Sequence, residues 1–437
     1  MESLLNAQLQ ANPDVPKYYF FKILTTTFKD QAEAEELSFE NRREFKNSKN
    51  SALIKYGEEI LEKFENVEYT PENKFYMGNI YGFLGRMYGV ERSYMSAFSN
   101  AKEGKDLLEE LVEEYPDFYD AYLLLGMFEY YADRLGGFIE FVAGILGFSG
   151  DRTTGLEYLK LVCEKGDLTK PLAEFILAET YSFQERNDFE AVKYFESLVK
   201  EYPNNKSFTD WYLRLLINLD RLTEARDVID NADENIISDF TKGYYFFKLG
   251  NLEQANFYFG KTIETKKVKW GSAYREAIFY HSVTSLLLGN QVKETEIEFD
   301  ESDREIFNEI KSHPSSVLVA INYIAFVGTM NQGENNNFNI PKLSELSVDG
   351  YINSLVEFNT GVYYFKKGDY KKAADQFELI GKTGKYNKYD SVKYLIEIYK
   401  RIDATSAQLE TLEDLVDELD SEALDFNFED LEKKYDL

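Results

Sequence analysis

One pattern recurs along this chain and restricts the folds open to it: a small residue, a large residue four positions later, and a third residue three positions beyond that. This spacing places all three side chains on one face of an α-helix. The copies are Gly104/Leu108/Leu111, Gly155/Leu159/Val162, Ala191/Phe195/Leu198, Ala225/Ile229/Ala232, Ala255/Phe259/Thr262 and Ala373/Phe377/Ile380. From Gly155 to Ala255 consecutive copies are 36, 34 and 30 residues apart. The chain is therefore predicted to be an array of similar helical units.

Each unit also has a candidate first helix and turn signals. A second small residue marks the point where the first helix approaches its partner, at Gly126, Ala178, Gly243 and Gly361. Glycine opens the turn between the two helices in GNLEQA, from Gly250, and in GDYKKA, from Gly368. YPD from Tyr115 and YPN from Tyr202 follow the second helices. The repeating element is therefore a helix pair.

These motifs and their spacing resemble the tetratricopeptide repeat superfamily, whose unit is about 34 residues long. The resemblance is most specific over Gly243–Thr262 and Gly361–Ile380 and is degenerate from Trp270 to Met330. It implies an all-α fold, a right-handed α-solenoid of tetratricopeptide-type helix pairs with an inserted apolar helical segment. It also implies a concave groove lined by the first helices, which suits protein binding.

The pattern divides the chain into successive segments. These are N-terminal helices of the array (1–70), helix pairs with an apolar insert at 135–150 (71–166), regular repeats (167–265), degenerate repeats with a polar loop (266–348), C-terminal repeats (349–402) and an acidic, amphipathic capping tail (403–437).

One interval is longer than the others and locates the insert. Gly104 and Gly155 are 51 residues apart, about 17 more than the repeat length. The excess matches the nearly uncharged segment from Leu135, which ends in GFSGDRTTG. This motif resembles a bacterial group of tetratricopeptide proteins, and also a eukaryotic branch of the superfamily linked to lipid handling. An exposed apolar segment of this size needs a cover. We therefore expect its contact residues to fold back against the groove: Phe138, Phe141, Ile145 and Phe148.

Composition excludes several classes of protein. The net charge is −29, from 78 acidic and 49 basic residues, which argues against a nucleic-acid partner. The acidic surface serves either solubility or the selection of basic partners. The single cysteine, Cys163, rules out an internal disulfide and a zinc thiolate cluster. The start of the chain lacks a leader pattern. It is therefore expected to be cytoplasmic if Met1 is the natural start, and periplasmic if a signal peptide has been removed.

Candidate catalytic and metal-binding residues are few. His281 and His313 lack metal-ligand spacing, and the surroundings of Ser149 do not form a nucleophile elbow. Asp151 is instead predicted to be the N-cap of the helix that begins at Arg152. We expect no enzyme activity, cofactor or metal.

The resemblance to the superfamily implies which side chains line the groove. Counting from the small residue of each first helix gives Tyr130, Tyr131, Phe175, Phe183, Tyr244, Phe247, Lys248, Phe365 and Lys366. The two lysines are candidates for binding a peptide carboxylate. The aromatic residues serve either partner binding or contact with the insert, and the sequence leaves both open.

The sequence thus predicts a non-catalytic scaffold or adaptor whose partner is another protein or peptide. The alternative is a carrier for a lipid or other apolar ligand, with 135–148 as a lid or membrane-touching element. That segment is too short to cross a bilayer, which takes about 20 residues, and no membrane contact is predicted.

Overall fold

The computed structural model of the chain describes residues 2–35, 37, 39–134, 150–233, 235–265, 272–292, 299–331 and 350–435. All regular structure in these ranges is helical, which confirms the all-α prediction. Within the same ranges no helix combines the length and the apolar character needed to cross a bilayer. The insert residues Phe138, Phe141, Ile145 and Phe148 lie outside the described residues, so their predicted contacts stay predictions.

The helices cluster into two units, an N-terminal unit of Met1–Leu177 and a C-terminal unit of Ala178–Leu437. The first eight helices are α1 (Glu2–Ala11), α2 (Pro16–Glu35), α3 (Phe39–Lys63), α4 (Pro71–Val90), α5 (Tyr94–Glu114), α6 (Tyr122–Asp133), α7 (Arg152–Lys165) and α8 (Lys170–Glu179). A short 3₁₀ turn, Tyr119–Ala121, precedes α6, and a π-helical turn, Thr180–Gln184, follows α8.

The remaining helices belong to the C-terminal unit. They are α9 (Asp188–Glu201), α10 (Lys206–Asn218), α11 (Leu222–Asn231), α12 (Asp239–Lys248), α13 (Leu252–Thr265), α14 (Ser272–Leu287), α15 (Glu301–Ser312), α16 (Pro314–Thr329), α17 (Tyr351–Lys366), α18 (Tyr370–Thr383), α19 (Lys388–Arg401), α20 (Ser406–Leu419) and α21 (Glu422–Tyr435).

Local sequence explains where several helices begin. Asp151 accepts a hydrogen bond of 2.6 Å from the backbone N–H of Thr154, which confirms it as the N-cap of α7. Thr70 caps α4, and Pro71 occupies the first helical position, where its missing N–H costs nothing. At the start of α20, Thr405 and Gln408 form a reciprocal capping box.

The predicted small residues lie where the helices of a pair meet. Gly155 is buried, and a Cβ placed there would lie 2.5 Å from the backbone nitrogen of Tyr130 in α6. Gly243 approaches the ring of Phe259, and Gly361 approaches the ring of Phe377. A larger residue at these positions would hold the helices apart. The pair α6–α7 and the pairs α12–α13 and α17–α18 therefore form as the repeat predicts.

The first and last helices of the C-terminal unit contact each other. Asn187, just before α9, donates a 2.8 Å hydrogen bond to the side chain of Asn427 in α21. Asn427 in turn donates to the backbone carbonyl of Glu185 at 2.8 Å. Phe189 of α9 packs edge-on against Tyr394 of α19, with ring centroids 5.2 Å apart. These contacts join the start of α9 to α19 and α21. The resemblance implied a concave groove lined by the first helices, without such contacts between distant helices.

Candidate functional site

A cavity of about 350 Å³ lies among the helices of the C-terminal unit. It receives residues from α9, α10, α12, α14, α15, α16, α17 and α19, so it depends on the packing of α9 against α19. Its walls are largely apolar, and the aromatic residues among them are Phe189, Tyr244, Phe247, Phe279, Tyr280, Tyr351, Phe358 and Tyr394. Apolar walls with a few polar groups are typical of ligand sites.

An ion pair lies at the cavity wall where α10 turns into α11. Asp220 is 1% exposed, and its carboxylate accepts a hydrogen bond of 3.1 Å from the ammonium of Lys248, at the end of α12. Burial alone lowers the pKa of Lys248, but the charge and hydrogen bond of Asp220 outweigh it and raise the pKa above its usual value. Lys248 is therefore a fixed positive charge neutralised by Asp220.

Three phenols lie near this ion pair. Burial raises the pKa of the hydroxyls of Tyr244, Tyr280 and Tyr351, so all three are protonated at neutral pH. Within the described residues none of these hydroxyls makes a hydrogen bond to the protein. They are available to donate to, or accept from, a bound molecule.

A second charged group lies at the rim of the cavity, formed by Asp188, Asp390 and Lys393. The Lys393 ammonium lies 3.4 Å from an oxygen of each carboxylate. Asp390 is the exposed member, with 54% of its side chain accessible, while Asp188 is largely covered. Burial raises the pKa of Asp188, and the charge of Lys393 only partly opposes this.

An aromatic ladder leads from the protein surface to the cavity wall. It consists of Phe183, Trp211, Arg214, Phe240 and Tyr244. The ring of Phe183 meets that of Trp211 edge-on at 4.9 Å. The guanidinium of Arg214 lies 5.1 Å from the Trp211 ring and 5.2 Å from the Phe240 ring. Phe240 then stacks on Tyr244 at 6.3 Å.

Three predicted groove residues lie in the N-terminal unit. Tyr130 is 0% exposed, and its backbone lies against Gly155 of α7. Its neighbour Tyr131 is exposed and meets the Tyr130 ring edge-on at 5.1 Å. Phe175 is half-buried in α8. None of the three belongs to the cavity.

The other predicted residues divide between the cavity and the core. Tyr244, Phe247 and Lys248 line the cavity, and Phe183 begins the ladder. Phe365 and Lys366 are buried and line a neighbouring cavity of about 360 Å³. The Lys366 ammonium is buried within hydrogen-bond distance of four backbone carbonyls, those of Asp220, Val327, Gly328 and Met330, and its three N–H groups are therefore used within the protein.

Several residues of the site were missed by sequence reasoning. Asp188, Asp220, Lys393 and Tyr394 fall outside the repeat positions used to find the groove. Asp188 and Lys393 are separated by 205 positions in the chain, so no local pattern connects them. Of these residues only Asp220 has a local sequence signal. The Leu219-Asp220-Arg221 segment is typical of a turn between two helices.

Comparison with known proteins supports the helical repeat. A tetratricopeptide repeat family model matches residues 172–205. This range includes most of α8 and all of α9, the Ala191/Phe195/Leu198 triplet and the YPN motif. Among curated proteins none matches the chain. The link to a bacterial group with a glycine-rich insert stays a prediction, and the match supports a tetratricopeptide repeat over residues 172–205.

Proposed function

We propose that the C-terminal unit is a non-catalytic scaffold that binds a partner polypeptide, with one anchor side chain of the partner in the cavity. A tetratricopeptide repeat supports a role in protein interaction in general. The finer assignment rests on the contact between the aromatic ladder and the cavity. A segment lying on Phe183, Trp211 and Arg214 would be separated from Tyr244, where the cavity begins, by the buried ring of Phe240 alone.

The polarity of the site supports a peptide as occupant. Peptide bonds carry both donors and acceptors, and the hydroxyls of Tyr244, Tyr280 and Tyr351 can serve either role. Aromatic residues and arginine are also the residues that carry most energy at protein interfaces. Trp211 and Arg214 supply both types on one helix, α10.

Selection from a library of short acetylated and amidated peptides on the intact chain tests the proposal. Peptides should be enriched, and binding should be lost in Leu355→Trp, because Leu355 lines the cavity and a larger ring fills it. The matched control is Leu379→Trp on α18, whose side chain is 52% exposed and lies outside the cavity lining. Equal binding by both variants would contradict the cavity as the anchor site.

Truncating the ladder gives a second measurement. Trp211→Ala should weaken the selected peptides by roughly tenfold or more, the loss expected for a central aromatic contact. The control Phe257→Ala removes an exposed ring from α13 that is not part of the ladder. A loss confined to Trp211→Ala supports the proposed path.

A small apolar ligand is the second candidate, favoured by the cavity volume, which falls at the lower end of the range for small-molecule sites. Solvent extraction of the purified protein, followed by mass spectrometry, would detect a carried molecule. Release of a stoichiometric ligand from the parent chain, but not from Leu355→Trp, would replace the peptide proposal by a carrier function. The expected lid, 135–148, lies outside the described residues.

A further inference from the structure

Among the side chains that line the cavity, acidic groups outnumber basic groups. Three carboxylates line it, those of Asp188, Asp220 and Asp390, together with the two ammonium groups of Lys248 and Lys393. One negative charge is therefore left over among the side chains that line the cavity. This excess attracts an incoming group of positive charge.

Among the residues that line the cavity, the excess negative charge lies at the rim; Arg186, outside the lining, also interacts with Asp188. In the ion pair at the cavity wall, the Asp220 carboxylate is matched by the Lys248 ammonium. At the rim, Lys393 is shared between two carboxylates, each at 3.4 Å, which is longer than a good charged hydrogen bond. Asp188 and Asp390 thus have acceptor capacity that Lys393 does not fill.

A neutral hydrogen-bond acceptor and aromatic rings in the cavity also favour a positively charged ligand. Asn359 lines the cavity, is 3% exposed, and its side-chain oxygen has no hydrogen-bond partner among the described residues. Phe358 and Tyr394 also line the cavity, with ring centroids 5.6 Å apart, and Phe377 covers one face of Tyr394. Aromatic faces attract cations through their negative electrostatic potential.

We propose that the anchor side chain is basic, a lysine or an arginine of the partner, held between the Asp188–Asp390 rim and the rings of Tyr394 and Phe358. This inference rests on the proposed peptide-binding function and specifies its partner as a basic polypeptide. It also fits the net charge of −29, because an acidic surface attracts basic chains before contact. An acidic anchor would instead add a second uncompensated negative charge to the cavity.

The charge requirement can be measured without a full peptide. The probes are Nα-acetyl-arginine amide and Nα-acetyl-citrulline amide, which have nearly the same shape but differ in charge. Ligand-observed NMR with the intact chain should detect the arginine probe and show binding of the citrulline probe at least roughly tenfold weaker. Equal binding of the two probes, or no binding of either, would overturn the inference.

Two matched variants locate the effect. Asp390→Asn removes the exposed rim carboxylate and should weaken the arginine probe roughly fivefold or more, while leaving the citrulline probe unchanged. Asp414→Asn removes the same charge from an exposed position on α20, outside the cavity lining, and should leave both unchanged. If both variants bind the arginine probe equally weakly, the probe responds to the overall negative charge of the protein. The rim would then not be its binding site.

The experiments separate this inference from the proposed function. If selected peptides bind in the cavity but tolerate citrulline in place of every arginine, and acetyl-lysine in place of every lysine, the basic anchor is wrong and the scaffold function stands. If the arginine probe binds at the rim but the library yields no peptide, the cation site stands and the occupant is a free small cation. The scaffold proposal then fails.

Discussion

Lys366 donates a hydrogen bond to the backbone carbonyl of Asp220, a residue 146 positions earlier in the chain. The side chain of the same Asp220 accepts a hydrogen bond from Lys248. The two lysines occupy equivalent positions, each five residues after the small residue of its first helix, Gly243 or Gly361. Two copies of one repeat position thus converge on a single turn, where Asp220 has a left-handed backbone with φ of +54°.

Replacing Lys366 by methionine should destabilise the C-terminal unit. Its ammonium reaches the carbonyls of Val327 and Gly328, at the end of α16, where helix carbonyls lack partners within the helix. Leaving such buried acceptors unpaired should cost about 3 kcal/mol of unfolding free energy, measured by urea denaturation. The neighbouring change Lys367→Met is the control and should shift stability by less than about 0.5 kcal/mol. Similar losses in both would show that the four carbonyl contacts contribute nothing specific.

The helix pairs were predictable because their determinants are local. Positions such as Ala255 and Ala373 are small since a neighbouring helix lies against them, and both are 0% exposed. The same reasoning located Tyr244, Phe247 and Lys248, which line the cavity. Helix periodicity records which face is covered, and each of these residues lies on such a face.

The rest of the site was not predictable, because it arises from contacts between distant segments. Asp188 and Lys393 meet only when α9 packs against α19. The repeat resemblance implied a concave groove, which made Lys366 a candidate for binding a peptide carboxylate, whereas the structure buries this side chain. The apolar periodicity of a helix shows that one of its faces is covered. It does not show whether the covering helix is the next one in the chain or one at the other end of the unit.

Gly361 should not tolerate alanine. A Cβ at this position would lie 2.5 Å from the Phe377 ring, and that ring is fixed by stacking on Tyr394 at 4.7 Å. The overpacking should exceed the gain in helix propensity and cost about 1–2 kcal/mol by chemical denaturation. Gly89→Ala in α4 is the control, because nothing lies within 4 Å of its added methyl, and it should be neutral or stabilising. A stabilised Gly361→Ala variant would place the α17–α18 contact elsewhere.

Stability should fall in alkaline solution because of the cavity phenols. Burial raises the pKa of Tyr280 and Tyr351 in the folded chain above the ordinary value of about 10. As pH rises past this value, the unfolded chain loses phenol protons that the folded chain keeps, so unfolding becomes more favourable. Each such group lowers stability by about 1.4 kcal/mol per pH unit in this range.

Urea denaturation on both sides of this pKa measures the slope, and tyrosinate absorbance reports the ionisation. The double variant Tyr280→Phe/Tyr351→Phe should have a shallower slope than the parent, because two of the linked protons are absent. Tyr258→Phe/Tyr274→Phe, which changes two tyrosines outside the cavity lining, serves as the control and should keep the parental slope. Identical slopes in all three chains would contradict protonated, buried phenols at the cavity.

The contact between the ends of the C-terminal unit should depend on Asn427. Its side chain joins α21 to the start of α9, through the Glu185 carbonyl and the Asn187 amide. Asn427→Ala removes both hydrogen bonds from a largely buried position and should cost about 1–3 kcal/mol. Asn231→Ala, which removes one exposed hydrogen bond within α11, is the control. The decisive readout is amide hydrogen exchange in the first turn of α9, which should accelerate in Asn427→Ala because the cavity opens there. Unchanged protection at Ala191, whose N–H bonds to the carbonyl of Asn187, would mean that packing alone holds the two ends together.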